Sequence, residues 1–257
     1  MVSSLVIYEW SVDLGLIAIK DMFEQVAELV GRPPDIATLL DEKNAGRDYL
    51  YRNFIKRDMI HKKDWVSLGY LWKRNETLSD FAIELGWDRK PPKRLEFYLD
   101  AAAVEDAASL MRLVAKLIME DTRPIYGIGY EMPYYWGPRA FALGSVADRY
   151  ATVEKTFYGA PEWVNERSRA FRKSFIADEG ERNLDLSIRD VYELNLLSEG
   201  HLNRQIEGLS LREWIEKTGQ GELHQVNTVT WRWHVPYDRI EEVRRPLIAA
   251  GITILRT

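Results

Sequence analysis

Cysteine is absent from the 257-residue chain, which excludes disulfide staples, thiolate nucleophiles and cysteine-bound zinc and suits a reducing compartment. Histidine is scarce, with four in all: His61, His201, His224 and His234. Basic charge is not in excess, since 35 Lys and Arg face 40 Asp and Glu for a net charge of -5. With a pI of about 5.6, that balance argues against a surface built for the phosphate backbone and favours a basic protein partner over a nucleic acid. Long apolar runs are missing too. Glu9 and Asp13 interrupt the apolar start, no basic segment precedes it, and no run approaches the roughly 20 residues needed to span a bilayer. The expectation is a cytoplasmic chain that engages neither membrane nor nucleic acid.

Local signatures of chemistry are lacking as well. There is no GxSxG elbow, HExxH pair, GxxxxGK phosphate loop or EF-hand loop, and GIG at Gly127 to Gly129 lacks the third glycine of a dinucleotide fingerprint. Of the histidines, only His224 and His234 fall close enough in a hairpin to be neighbours. A two-residue turn at Asn227 and Thr228 would set His224 opposite Trp231 and leave His234 on the other face with Arg232, so ordinary cross-strand packing is expected and no metal. Glu9 and Asp13 are spaced to serve as an acid and base pair. Capping by Asp13 and a wet strand face for Glu9 explain them more simply. No catalytic residue and no cofactor is expected.

What is present is a core. At 46% hydrophobic and 29% charged residues, the chain can fold as one large domain or two modest ones. Its centre is Arg94 to Gly144. Leu95, Phe97 and Leu99 alternate with Glu96 and Tyr98 as a strand from Leu95 to Leu99. Ala107, Leu110, Met111, Val114, Leu117 and Ile118 follow at helical spacing, predicting an amphipathic helix from Val104 to Asp121 with Glu105 and Asp106 in its first turn. Pro124 bars continuation, and an apolar, aromatic segment runs from Ile125 to Leu143.

From the start of the chain, Leu5 to Val12 reads as a strand and Asp13 as the cap of a helix. That helix carries Leu16, Ile19, Met22, Phe23, Val26 and Val30 and ends at Gly31 before Pro33 and Pro34. Between Asp35 and Lys63, Arg52, Lys56, Arg57, Lys62 and Lys63 lie among Tyr49, Tyr51 and Phe54; in an acidic chain this reads as a solvated helix face. Trp65 to Trp72 is a strand, Thr77 to Gly86 a short helix, and Asp88 to Arg94 a connector.

After the polar stretch from Ser145 to Glu181, anchored by Trp163, Phe171 and Phe175, the run Asp178 to Asn183 is the best boundary. Ile188 to Leu197 looks extended. Ser210 and Glu213 form a capping box for a helix that stops at Gly219. A hairpin pairs Glu222 to Val226 with Val229 to Val235, a helix runs from Asp238 to Gly251 with a kink at Pro246, and Ile252 to Leu255 closes as a strand. The result is an α+β fold of mostly antiparallel sheets with packed helices in two similar layers. Its expected divisions are an α+β region over 1–150, a mostly helical connection over 151–181 and an α+β region over 182–257.

The runs RDVYELNLLSEGHL (Arg189 to Leu202), LREWI (Leu211 to Ile215), WRWHVP (Trp231 to Pro236) and IEEVRRPLIAAGI (Ile240 to Ile252) resemble bacterial immunity proteins of polymorphic and type VI secretion toxin systems. The resemblance covers the last third of the chain and, loosely, its central unit. It implies a protein that binds and blocks a cognate toxin, with no cofactor and no catalytic residues. The surface that fits such a role is Tyr134, Tyr135 and Trp136, whose rings offer rigid contact area, together with the acids Asp178, Glu179 and Glu181. The competing function is an enzyme, a hydrolase or transferase, whose carboxylates and histidines meet only in three dimensions.

Overall fold

A computed structural model describes residues 1–41, 43, 45–74, 79–86, 94–144, 159–177 and 184–255. The first half runs β1 (Val2–Trp10), α1 (Leu16–Val30), β2 (Ile36–Asp41), β3 (Gly46–Leu50), α2 (Tyr51–Lys56), β4 (Trp65–Lys73), β5 (Ser79–Gly86), β6 (Arg94–Asp100), α3 (Ala107–Thr122), β7 (Pro124–Met132) and α4 (Pro138–Leu143). The second runs α5 (Glu162–Ala177), β8 (Leu194–Leu197), α6 (Glu199–Leu202), β9 (Gln205–Ile206), β10 (Leu209–Ser210), α7 (Leu211–Thr218), β11 (Glu222–Gln225), β12 (Trp231–His234) and α8 (Ile240–Ala249). Ten strands form one sheet in the order β11-β12-β8-β7-β1-β6-β5-β4-β2-β3, and β9 pairs with β10 apart from it. Among the described residues all the pairings between these strands are antiparallel. The fold is mixed α and β, as the patterning implies.

Strand alternation divides the interior in two. Leu5 and Ile7 of β1 point to one face, where α1 and α3 cover Tyr70, Trp72, Ile83 and Phe97. Val6 and Tyr8 point to the other, where Phe141 of α4, Phe171 of α5, Trp214 of α7 and Val243 of α8 cover Tyr126, Ile128 and Trp233. Each successive side chain of β1 therefore joins a different core. Side chains of β8 complete the junction at β7: a β-carbon on Gly129 would lie 2.8 Å from the Leu194 side chain. The two glycines of the GIG run are thus strand residues that let β8 approach, and no phosphate loop is formed.

Several expected elements differ. Within the stretch expected as a helix, Ser79–Gly86 is a strand and Thr77 lies outside the described residues: Phe81, Ile83 and Leu85 are buried and pair with β4 and β6. The first helix is capped by Gly15 without a side-chain bond, because it begins three residues after Asp13. Asp106 lies outside the first turn of α3 as its cap, accepting from the Ser109 N–H at 2.9 Å. The terminal Ile252 to Leu255 makes one parallel bridge, Ile188 to Thr253, in place of a strand. In the hairpin, Asn227 Oδ1 accepts from the N–H groups of Val229 and Thr230 at 2.9 and 2.8 Å, and Val226 N–H donates to Thr230 O at 2.9 Å. This wider turn moves the register by one, so His224 faces Arg232 and His234 faces Glu222. A slip of one residue exchanges faces, which puts both histidines on the same side. The capping box of Ser210 and Glu213 and the left-handed Gly219 that ends α7 stand as expected. Among the described residues, no helix is long and apolar enough to cross a membrane.

Candidate functional site

The second core opens at one end into a cleft of about 550 Å³. Tyr130 and Met132 at the end of β7 form one wall, Val191, Tyr192 and Glu193 of the segment entering β8 form the floor, and Trp163 and Arg167 of α5 lie one helical turn apart along the side. Tyr237, Asp238 and Glu241, from the turn into α8, make the opposite lip. Trp136 packs edge-on against Trp163, with centroids 6.1 Å apart at 87°. Trp136 of the aromatic turn therefore meets the cleft through a ring that the sequence had marked only as an anchor. Two of the rings lining the cleft are exposed, Trp163 by 45% and Tyr237 by 78%.

Charge in the cleft is organised by Asp190, which is fully buried beneath it. Arg244 Nε lies 2.7 Å from Asp190 Oδ1, and Arg167 Nε lies 3.4 Å from Oδ2. The same two arginines reach Glu241, at 2.8 Å from Arg167 and 3.4 Å from Arg244. Two cations and two carboxylates thus balance, and the Arg167 guanidinium also lies 4.8 Å over the Trp163 ring. Burial opposes ionisation of Glu241, but the Arg167 hydrogen bond and the Arg244 charge bring its carboxyl below the usual value. Among the described residues Glu193 has no such partner set. Burial, then the charge of Glu131, raises its carboxyl, with His234 pulling the other way.

Behind the cleft lies a buried arginine with an unusual set of partners. Arg189 donates from Nη1 to Tyr8 Oη at 2.7 Å and to Ala142 O at 3.2 Å, and from Nη2 to Phe141 O at 2.7 Å. Those carbonyls belong to the last turn of α4, where a cation is favoured; Phe141 O also accepts the Gly144 N–H at 3.0 Å and Ala142 O the Tyr8 hydroxyl at 2.9 Å. Phe141 and Phe171 lie 4.3 and 4.0 Å from the guanidinium carbon. Burial alone would lower its pKa, yet the tyrosines around it hold the group above the ordinary value. The arginine locks α4 and α5 over β1 and so sets the inner wall.

Of the surface singled out from sequence, Tyr134, Tyr135 and Trp136 form a single 3-10 turn, whereas Asp178, Glu179 and Glu181 lie outside the described residues. Connector residues 88–93 lie outside them too. Arg167, Asp190, Glu193, Tyr237 and Glu241 were missed. The i, i+4 spacing of Trp163 and Arg167 on one helix face was the available signal; nothing local linked them to Asp190. Glu9, His224 and His234 do not converge: Glu9 sits in β1, and the histidines are exposed on the β11–β12 hairpin. Among the described residues, no three His, Asp or Glu side chains gather as a metal site.

No protein-family model matches the chain, and no curated protein matches it in sequence. Among solved structures, Pseudomonas aeruginosa T6SS protein PA0821 is similar in fold, with a TM-score of 0.55 and 13% identity over 98% of this chain and 73% of that one.

Proposed function

We propose that the chain is an immunity protein, which acts in the cytoplasm and neutralises a cognate bacterial toxin by binding it, without a cofactor. The observation that carries this reading is the cleft: exposed tyrosine and tryptophan rings stand around a mouth whose carboxylates are only partly paired, an arrangement suited to holding a basic protein surface. The resemblance of the last third to immunity proteins points the same way, and the similar solved structure is a T6SS protein.

Co-expression with the product of the neighbouring gene tests it. The expected result is protection of the cell and a complex that co-purifies; neither protection nor complex would refute the reading and favour an enzyme. A second arm addresses that enzyme directly. Alanine at Glu9, His224 or His234 should leave protection intact, whereas a loss beyond about a hundredfold with the fold preserved would equal roughly 2.7 kcal/mol of transition-state stabilisation.

A further inference from the structure

We infer that β11, the outer strand of the ten-stranded sheet, pairs antiparallel with β11 of a second copy of this chain, in a register centred on Leu223 that joins the two sheets into one. β11 stands at the end of the strand order and pairs with β12 alone among the described residues. In an antiparallel pair, alternate residues turn their N–H and C=O groups toward the neighbouring strand. Val226 N–H donates to Thr230 O at 2.9 Å, so Glu222 and His224, two and four residues back, bond inward to β12, whereas the backbone groups of Leu223 and Gln225 point outward. Val235 N–H, which donates to Glu193 O at 3.0 Å, sets the same alternation from the other side of β12. The outward groups have no backbone partner among the described residues. Glu222, His224 and Gln225 are exposed beside them. Such an open row of donors and acceptors is a template for another strand.

Symmetry and charge identify the strand that fits. Two identical strands joined antiparallel are related by a two-fold axis perpendicular to the sheet. That axis keeps every side chain on its own face, and directly opposite residues share a face, so a residue can oppose only its own number or one an even step away. With the axis at Leu223, its outward N–H and C=O meet those of its copy, and Glu222 of each chain faces His224 of the other. These are the positions without backbone hydrogen bonds, where opposed side chains approach most closely. Within one chain Glu222 and His224 already lie 3.6 Å apart on one face, so four alternating groups line up across the joint, with His234 and Arg232 of β12 behind them. On the other face half-buried Leu223, which packs against the second core, meets its copy. Moving the axis to His224 opposes the two imidazoles and leaves Glu222 against Val226. The opposite edge of the sheet lacks this match: the charged residues of β3 are Arg47 and Asp48, one apart, and no two-fold register sets them against each other.

A joint of one short strand from each chain is smaller than a standard interface, so the dimer is weak, with a dissociation constant on the order of 100 μM. Sedimentation equilibrium of the whole chain at about pH 6, where a histidine side chain ordinarily carries charge, measures it. The mass should rise reversibly with concentration from 30.0 kDa toward twice that value. E222K opposes two cations and H224E two carboxylates, so each should weaken the dimer at least about tenfold. The E222K/H224E exchange restores opposite charges and should recover affinity to within about threefold of the unaltered chain. Leu223→Pro removes an outward N–H that bonds nothing within the subunit and should abolish the dimer; if that variant does not fold, the charge exchange decides. A chain that stays monomeric up to about 1 mM, a dimer that both single reversals leave intact, or an exchange that fails to restore what the single reversals remove would overturn the inference. So would a monomer whose Leu223 and Gln225 amides become protected from exchange only when a toxin binds, because the edge would then belong to a strand of that partner. The immunity reading is untouched by either result, since a monomer can still block a toxin through the cleft.

Discussion

Acidification should unfold this protein earlier than its carboxylates alone require, because of His201. The ring is fully buried, stacked 5.5 Å from Tyr126. Its Nδ1 accepts the Ser198 N–H at 3.1 Å, closing the first turn of α6 in a capping box with histidine in the usual glutamate place. A proton on Nδ1 would oppose donor to donor. Burial is the largest influence and, against the favourable charge of Asp185, lowers the pKa from 6.5 to about 4. Between those two values the unfolded chain holds a proton that the folded chain does not, so stability rises with pH across that window and is lost as pH falls through it. Each pH unit costs about 1.4 kcal/mol, and the whole interval about 3 kcal/mol. Urea unfolding from about pH 7.5 down to about pH 4.5 measures it. His201→Asn keeps an acceptor near the Ser198 N–H but cannot titrate; it should be less stable at neutral pH, with a pH dependence shallower by up to one proton. Parallel curves for the two proteins, or an imidazole titrating near 6.5 in the native state, would refute the reasoning.

Replacing Arg189 by methionine should cost about 3–5 kcal/mol, because the Phe141 and Ala142 carbonyls and the Tyr8 hydroxyl lose their charged donor in a buried setting; a change under about 1 kcal/mol in urea unfolding would show that the guanidinium is dispensable. Alanine at Tyr135 and Trp136 should chiefly raise the rate at which a toxin complex dissociates, while reversing Glu179 and Glu181 should slow association and flatten its salt dependence, both measured by surface plasmon resonance. Equal effects of the two pairs on both rates would contradict that division.

Much of the fold was legible because periodicity reports burial directly. In α1, Ile19, Met22, Phe23 and Val26 are buried where their spacing puts them, and the left-handed Gly31 ends the helix. In α3 the stripe is rotated slightly: Val114 and Ile118 are buried, but Ala115 and Met119 join them while Leu110, Met111 and Leu117 stay half-buried. Contacts with α1 and the sheet set that rotation, and no local pattern contains them. The strand at Phe81 to Leu85 was misread because a short run fits either period and Gly86 looks like a helix stop. The hairpin register depended on the side chain of Asn227, which widened the turn. At the site, single rings could be flagged, but Asp190 and Arg244 are 54 residues apart in sequence. Their pairing is a product of tertiary structure, as is the one-ring contact between Trp136 and Trp163.

The cleft exists only where the two halves of the sequence meet. Tyr130 and Met132 arrive on β7, whereas Val191 to Glu193 and Tyr237 to Glu241 arrive with the strands that extend the sheet beyond it. The junction is the short pairing of Gly127, Ile128 and Gly129 with Leu196, Asn195 and Leu194. Asn195 reinforces it from within, since its side chain is buried and bonded to the Tyr192 backbone at both ends, accepting from N–H at 3.1 Å and donating to C=O at 2.7 Å. The amide that fixes β8 therefore also fixes the floor of the cleft. A partner seated there touches both sides of the junction and must favour the joined state, by about 2.7 kcal/mol at a hundredfold excess over its dissociation constant. Amide hydrogens of Ile128 and Leu196 should then exchange more slowly in the complex, and those of β2 and β4, which face only the α1 core, should slow by no more than the global stability rises.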